Sequence, residues 1–224
     1  MSHAPLTGPR VDAKSGTAKS LVILIHGYGA NGDDLIDIGS QLAPHFPDTA
    51  FSSPHAPEDC PMSPGGKQWF PLTHNPGGFR SEDEYWNGVN NSQNVLNDYI
   101  DQELERLNLD ESQCLLLGFS QGTMMSFHVG LRRKKKLAGI IAFSGVLTGD
   151  ERLKDDIQSK PPVLIVHGEE DPVIPVEAVP RATKALRGVD IDAEWHIVAG
   201  LGHGIEQMGL MLAANFLRRT LLRA

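Results

Sequence analysis

Three short stretches carry residue types that together could do nucleophilic chemistry. Gly118-Phe119-Ser120-Gln121-Gly122 follows the apolar run Leu115-Leu116-Leu117 and precedes a helix-like stretch from Thr123 to Leu131. A serine in that setting sits on a strand-to-helix turn so sharp that its backbone is strained. Glycine two residues away on either side lets the chain pass close to itself. The turn leaves the first helical amides unpaired, so the Gln121 N–H, backed by the helix dipole, faces any oxyanion formed beside Ser120. A serine hydroxyl is a poor nucleophile near neutral pH and needs a base, and the base needs a partner that fixes its tautomer.

Nine histidines compete to be that base. His3, His45, His55 and His74 fall in the N-terminal tail, beside prolines or in a long loop, and read as solvated. His128 lies within the helix after Ser120, and His167 and His196 lie on strands, so each reads as a scaffold residue. His203 stands in Gly200-Leu201-Gly202-His203-Gly204, where backbone freedom lets an imidazole reach across a sheet edge, and it is assigned the base. Asp171 precedes Pro172, which excludes the helical conformation and holds the carboxylate in a turn. Asp171 is assigned the acid, with Glu169 and Glu170 as rivals. The order Ser120, Asp171, His203 is that of α/β-hydrolases. A second oxyanion donor should come from His26-Gly27-Tyr28-Gly29, with the Tyr28 amide as the choice and His26 bracing the loop.

These residues need a scaffold that gathers distant chain segments on one edge. Ser20-Leu-Val-Ile-Leu-Ile25, Leu137 to Phe143 and Pro162 to His167 are apolar, β-branched runs typical of strands buried on both faces. Helical patterns alternate with them, over about Leu35 to Ala43, Asn87 to Leu107, Val176 to Leu186 and Ile205 to Leu222; further strands are expected at Thr49 to Ser53 and Asp192 to Val198. The alternation implies an α/β fold with a doubly wound, mainly parallel sheet and helices on both faces, in which ligands bind beyond the carboxyl ends of the strands. Residues 20–224 are expected to form one domain, and residues 1–19 a flexible segment or an edge strand. Pro54 to Tyr85 shows no sustained period and reads as a long functional loop.

Composition narrows the function. The chain has 224 residues, 40% of them hydrophobic, with no apolar run long enough to span a bilayer and no apolar leader, so a cytoplasmic location is the default expectation. Twenty Lys and Arg against twenty-eight Asp and Glu give a net charge of -8, which argues against nucleic acid and anionic membrane as partners. The one basic cluster, Arg132-Arg133-Lys134-Lys135-Lys136, falls where the helix after Ser120 should end and complements its dipole. Two cysteines, Cys60 and Cys114, have neither disulfide nor metal spacing, so no metal is expected.

Taken together, Leu-Ile-His26-Gly27-Tyr28-Gly29-Ala-Asn-Gly-Asp-Asp, Trp69-Phe70, Gly-Phe-Ser120-Gln121-Gly, His-Gly-Glu-Glu-Asp171-Pro-Val-Ile-Pro175 and Gly-Leu-Gly-His203-Gly resemble the phospholipase/carboxylesterase family of α/β-hydrolases. That family includes acyl-protein thioesterases and bacterial carboxylesterases, and the resemblance covers nearly the whole chain after Lys19. It implies the α/β-hydrolase fold and a cofactor-free esterase or thioesterase. It also implies the triad Ser120, Asp171 and His203, oxyanion donors Tyr28 and Gln121, and a homodimer. Many relatives place an aromatic residue after the turn at Ser144, whereas Val146 and Leu147 stand here. An acyl pocket is expected between Trp69-Phe70 and Val146-Leu147, with a preference for short to medium chains. No hydrophobic lid is evident, which weighs against a lipase acting on aggregated fat and leaves soluble lysophospholipids open. A ligand-binding protein without turnover, and acyl transfer to an acceptor other than water, are the competing readings.

Overall fold

The strands alternate with helices because each strand is too apolar to face water on either side, so both sheet faces must be covered. A computed structural model describes residues 4–72 and 81–221. His3, His74, Phe79 and Leu222 lie outside the described residues. The sheet has seven strands: β1 (Arg10–Val11), β2 (Ser20–Ile25), β3 (Thr49–Ser52), β6 (Cys114–Phe119), β7 (Gly139–Phe143), β8 (Val163–Gly168) and β9 (Glu194–Val198). Their spatial order is β1-β3-β2-β6-β7-β8-β9. All neighbours are parallel except β1 and β3, so the N-terminal segment closes one edge as a short antiparallel strand. This is the α/β-hydrolase architecture.

Register divides each strand between two cores. On β2, Leu21, Ile23 and Ile25 pack with α2 (Glu82–Leu107) and α3 (Gln121–Arg132), while Val22 and Leu24 pack with α1 (Gly32–Leu42) and α6 (Gln207–Leu221). Farther along the sheet, Ile140 and Ala142 of β7 meet Phe127 and Leu131 of α3 and Val179, Ala182 and Leu186 of α5 (Ala178–Arg187).

Several boundaries differ from the pattern reading. α1 begins at Gly32 because Asn31 accepts from the amides of Asp33 and Asp34, while the Asp34 carboxylate accepts from the Asn31 amide, which closes a capping box. α2 begins at Glu82 because Ser81 caps it through the Glu84 amide, so the loop is shorter than its composition suggests. Within that loop β4 (Glu58–Asp59) and β5 (Lys67–Gln68) form a small antiparallel pair. The basic cluster is bound up in ion pairs: Arg132 with Asp156, Arg133 with Asp101 and Glu111, and Lys135 with Glu111. No helix among the described residues is long and apolar enough to cross a membrane.

Candidate active site

Ser120 sits between β6 and α3 with φ 54° and ψ -115°, a backbone that a side-chain-bearing residue adopts only under constraint. The constraint comes from three bonds. The Ser120 amide donates to the Phe143 carbonyl of β7 at 2.9 Å, and the Thr123 hydroxyl bridges the Gly118 and Phe143 carbonyls at 2.8 and 2.7 Å. The flanking glycines are required by contact: a Cβ on Gly122 would lie 1.9 Å from the Ile25 carbonyl oxygen, and one on Gly118 would lie 2.5 Å from the Gly122 carbonyl oxygen. The Ser120 hydroxyl is not spent on capping α3.

The loop after β2 lies against this turn. A Cβ on Gly27 would stand 3.1 Å from the Ser120 Cβ, so the His26–Gly29 segment and the serine share one wall. His26 is fully buried; its Nε2 accepts from the Ala56 amide at 3.0 Å, which leaves Nδ1 as the donor to the Gly27 carbonyl at 2.8 Å. Burial holds this imidazole neutral, its pKa lowered to about 4. A histidine that is neutral and spends both ring nitrogens on backbone is a brace.

Asp171 and His203 are brought together from opposite sides of β9. His203 Nδ1 lies 2.7 Å from Asp171 Oδ2, while Oδ1 accepts from the amides of Val173 and Ile174 at 2.8 and 2.9 Å. Burial pushes this carboxyl up, but the Ile174 amide, His203 and the Val173 amide outweigh it, and the net pKa is lowered. The two loops are stapled: the Glu169 amide donates to Val198 and the Glu170 amide to Leu201. A Cβ on Gly168 would meet the carbonyl oxygens of Leu201 and Gly202 at 2.3 Å. Glu169 and Glu170 are exposed, whereas the Asp171 side chain is wholly buried. The His203 ring packs on Phe119, the residue before Ser120, with centroids 4.9 Å apart. Ser120, the His203 imidazole held by the buried Asp171 carboxylate, and the first amides of α3 therefore all lie at the carboxyl edge of the sheet.

The sequence model of the phospholipase/carboxylesterase family matches residues 6–221. The chain belongs to this family of α/β-hydrolases. It is 31% identical to acyl-protein thioesterase 1 of Gibberella zeae, over 97% of this chain and 96% of that one. It is 29% identical to esterase YpfH of Escherichia coli, over 94% and 87% of the two chains. Among solved structures, esterase PE8 superposes with a TM-score of 0.93 at 42% identity, covering 97% of this chain and all of the other.

In this family member the residues expected to line an acyl pocket are arranged otherwise. Trp69 and Phe70 are buried and belong to the core beneath α2, and Leu147 is buried against Phe127, Leu131 and Leu153. Val146 alone of the four keeps partial exposure. The reason is hydrogen bonding that no local pattern announces. The Trp69 indole N–H donates to the His26 carbonyl at 3.0 Å. The Gln121 side chain accepts from the Trp69 amide at 2.9 Å and donates to the Phe70 carbonyl at 2.8 Å. Trp69-Phe70 is thus a clamp joining the long loop, the β2 loop and the start of α3. The role of the Gln121 side chain was not legible in sequence, where only its amide carried a signal.

Proposed function

We propose that this family member hydrolyses short- to medium-chain carboxylic esters or thioesters through an acyl-enzyme on Ser120. The Ser120 hydroxyl attacks the substrate carbonyl as His203 Nε2 takes its proton, and Asp171, held on Nδ1, stabilises the imidazolium. The amides of Gln121 and Tyr28 receive the oxyanion. Collapse expels the alcohol or thiol, protonated by His203, and a water activated by the same imidazole frees the acid. No metal or cofactor enters these steps.

The observation that carries this reading is the Asp171 to His203 bond of 2.7 Å, with both Asp171 oxygens engaged, set beside a strained Ser120 whose hydroxyl caps nothing. A buried carboxylate bonded to an imidazole whose ring packs on the residue before a glycine-flanked serine is what acyl transfer requires and what a passive binding module does not. The fungal relatives' name, acyl-protein thioesterase, favours thioesters as a second substrate class. We take the acyl site to be compact because, of the four residues expected to line it, Trp69, Phe70 and Leu147 are buried and Val146 alone keeps partial exposure. Each further buried methylene is worth about 0.8 kcal/mol only while there is surface to cover it. A cytoplasmic location and a homodimer accompany the reading as expectations.

The test is a series of nitrophenyl esters and acyl thioesters of graded chain length, run alongside fluorophosphonate labelling. Turnover peaking at short to medium chains with label on Ser120 is expected. Absence of turnover on every chain length in folded protein would leave the binding reading, and label on another serine would move the nucleophile.

A further inference from the structure

His167 is the next-to-last residue of β8, four residues before Asp171, and its side chain, like that of the aspartate, is wholly excluded from solvent. Its Nε2 lies 2.9 Å from the Ile174 carbonyl oxygen and 3.5 Å from Asp171 Oδ2. A carbonyl accepts and never donates, so the proton must be on Nε2. That leaves Nδ1 as a bare lone pair, buried and without a partner among the described residues. A buried imidazole with one nitrogen unsatisfied is costly, and an aliphatic residue of similar volume would avoid the cost.

What the aliphatic residue could not do is hold the other side of the Asp171 turn. Ile174 is gripped at both ends: its amide donates to Asp171 Oδ1, and its carbonyl accepts from His167. Oδ2, which accepts from His203, lies 3.5 Å from the same Nε2. We propose that His167 is a positioning residue for the Asp171 and His203 pair. With its Nε2–H it locks the turn that carries the carboxylate and keeps Oδ2 aimed at His203 Nδ1. This rests on the triad reading above. The titratable groups that face the carboxylate are His167 from β8 and His203 from the loop before α6. Glu169 and Glu170 on its own turn are exposed.

Three variants separate positioning from packing. A glutamine at this position carries its amide nitrogen to about the place of Nε2, whereas asparagine reaches only that of Nδ1, and leucine supplies volume alone. His167→Leu and His167→Asn are expected to lower kcat by roughly 10- to 100-fold with KM nearly constant, because a displacement of about 1 Å in a catalytic group costs up to 100-fold. In both, the acid limb of the kcat profile moves to lower pH, since a slack carboxylate stabilises the imidazolium less. His167→Gln restores both quantities. The low-field proton resonance of the His203 to Asp171 hydrogen bond, read in resting protein, should broaden or vanish in the Leu and Asn variants and return with Gln.

If His167→Asn behaves like His167→Gln in rate, pH profile and resonance, the proposal is overturned and His167 is only filling space. Equal losses in both, with an unmoved acid limb, overturn it as well. Should His167→Leu fail to fold, the Gln and Asn pair still decides. Failure of the triad reading is distinguishable: Ser120→Ala would then retain turnover, while the resonance continues to report on His167 by itself.

Discussion

Two corners of the molecule hold a histidine, and they treat it in opposite ways. At the carboxyl edge of the sheet His203 keeps its Nδ1 on a buried carboxylate and leaves part of its ring open to solvent. Within α3, His128 is 1% exposed, neither ring nitrogen has a partner among the described residues, and its ring packs edge-on against Trp86 at 5.3 Å. Trp86 is itself flanked by the guanidinium groups of Arg132 and Arg152, at 5.2 and 4.6 Å from ring centroids. Burial, helped by the nearby Arg132 charge, lowers the His128 pKa to about 3. Burial without an anion makes an inert aromatic filler, whereas a carboxylate with partial access is the setting that proton transfer needs.

The largest test of that contrast is His203→Ala, expected to cut kcat on the order of 10⁴- to 10⁶-fold with a nearly unchanged thermal midpoint. Assay on a short nitrophenyl ester and calorimetry measure the two halves. A large loss of stability with modest loss of rate would instead make His203 a packing residue.

Next in size is Asp171→Asn, with a loss of about 10⁴-fold in kcat. The amide oxygen can still accept from Val173 and Ile174, so the turn survives, but the NH₂ then faces His203 Nδ1 and forces the wrong tautomer. A variant with near-normal rate would return the role to Glu169 or Glu170.

Trp69→Ala probes the clamp beside the site. Deleting a fully buried indole with its bond to His26 should destabilise the fold by about 3 to 5 kcal/mol, measured by urea denaturation. Because Trp69 is sealed in the core, rates on acetate and octanoate esters should fall by the same factor. A selective loss on octanoate would show that the indole reaches the acyl chain during turnover.

The smallest effect belongs to His128→Leu, which removes two unsatisfied buried nitrogens and should stabilise by up to about 2 kcal/mol at neutral pH without changing kcat. Its effect grows in acid. His26 and His128 both have folded pKa values, about 4 and about 3, below the ordinary histidine range. The unfolded chain therefore binds more protons as pH falls. The stability these residues permit is complete above about pH 6.5 and is lost as pH drops from there toward the folded values, on the order of 3 kcal/mol or more for each. His128→Leu should flatten that loss, seen as a shallower fall of urea midpoint between pH 6.5 and 4.5. An unchanged slope would mean that His128 keeps its ordinary affinity for protons in the folded state.

By itself the sequence determined what depends on neighbours along the chain. Glycines at 118 and 122 specify a turn too tight for any Cβ, Pro172 keeps Asp171 out of a helix, and unbroken apolar runs such as Leu21 to Ile25 specify strands covered on both faces. Even the modest role given to His26 follows from its place at the end of such a strand. The rest was decided by partners dozens of residues away. Nothing near Trp69 indicates that Gln121, 52 residues on, will take its amide, or that His26, 43 residues back, will take its indole and draw it inward. Arg10 anchors the edge strand through Glu103, 93 residues later, so the first strand carries almost no local signal. His167 looked like an ordinary strand residue because its meaning lies in the turn opposite. Periodicity and turn chemistry are short-range and can be read in order. Which buried polar atom satisfies which is settled only when the sheet brings distant loops to one edge, because a donor left without an acceptor in the core costs as much as a bond is worth.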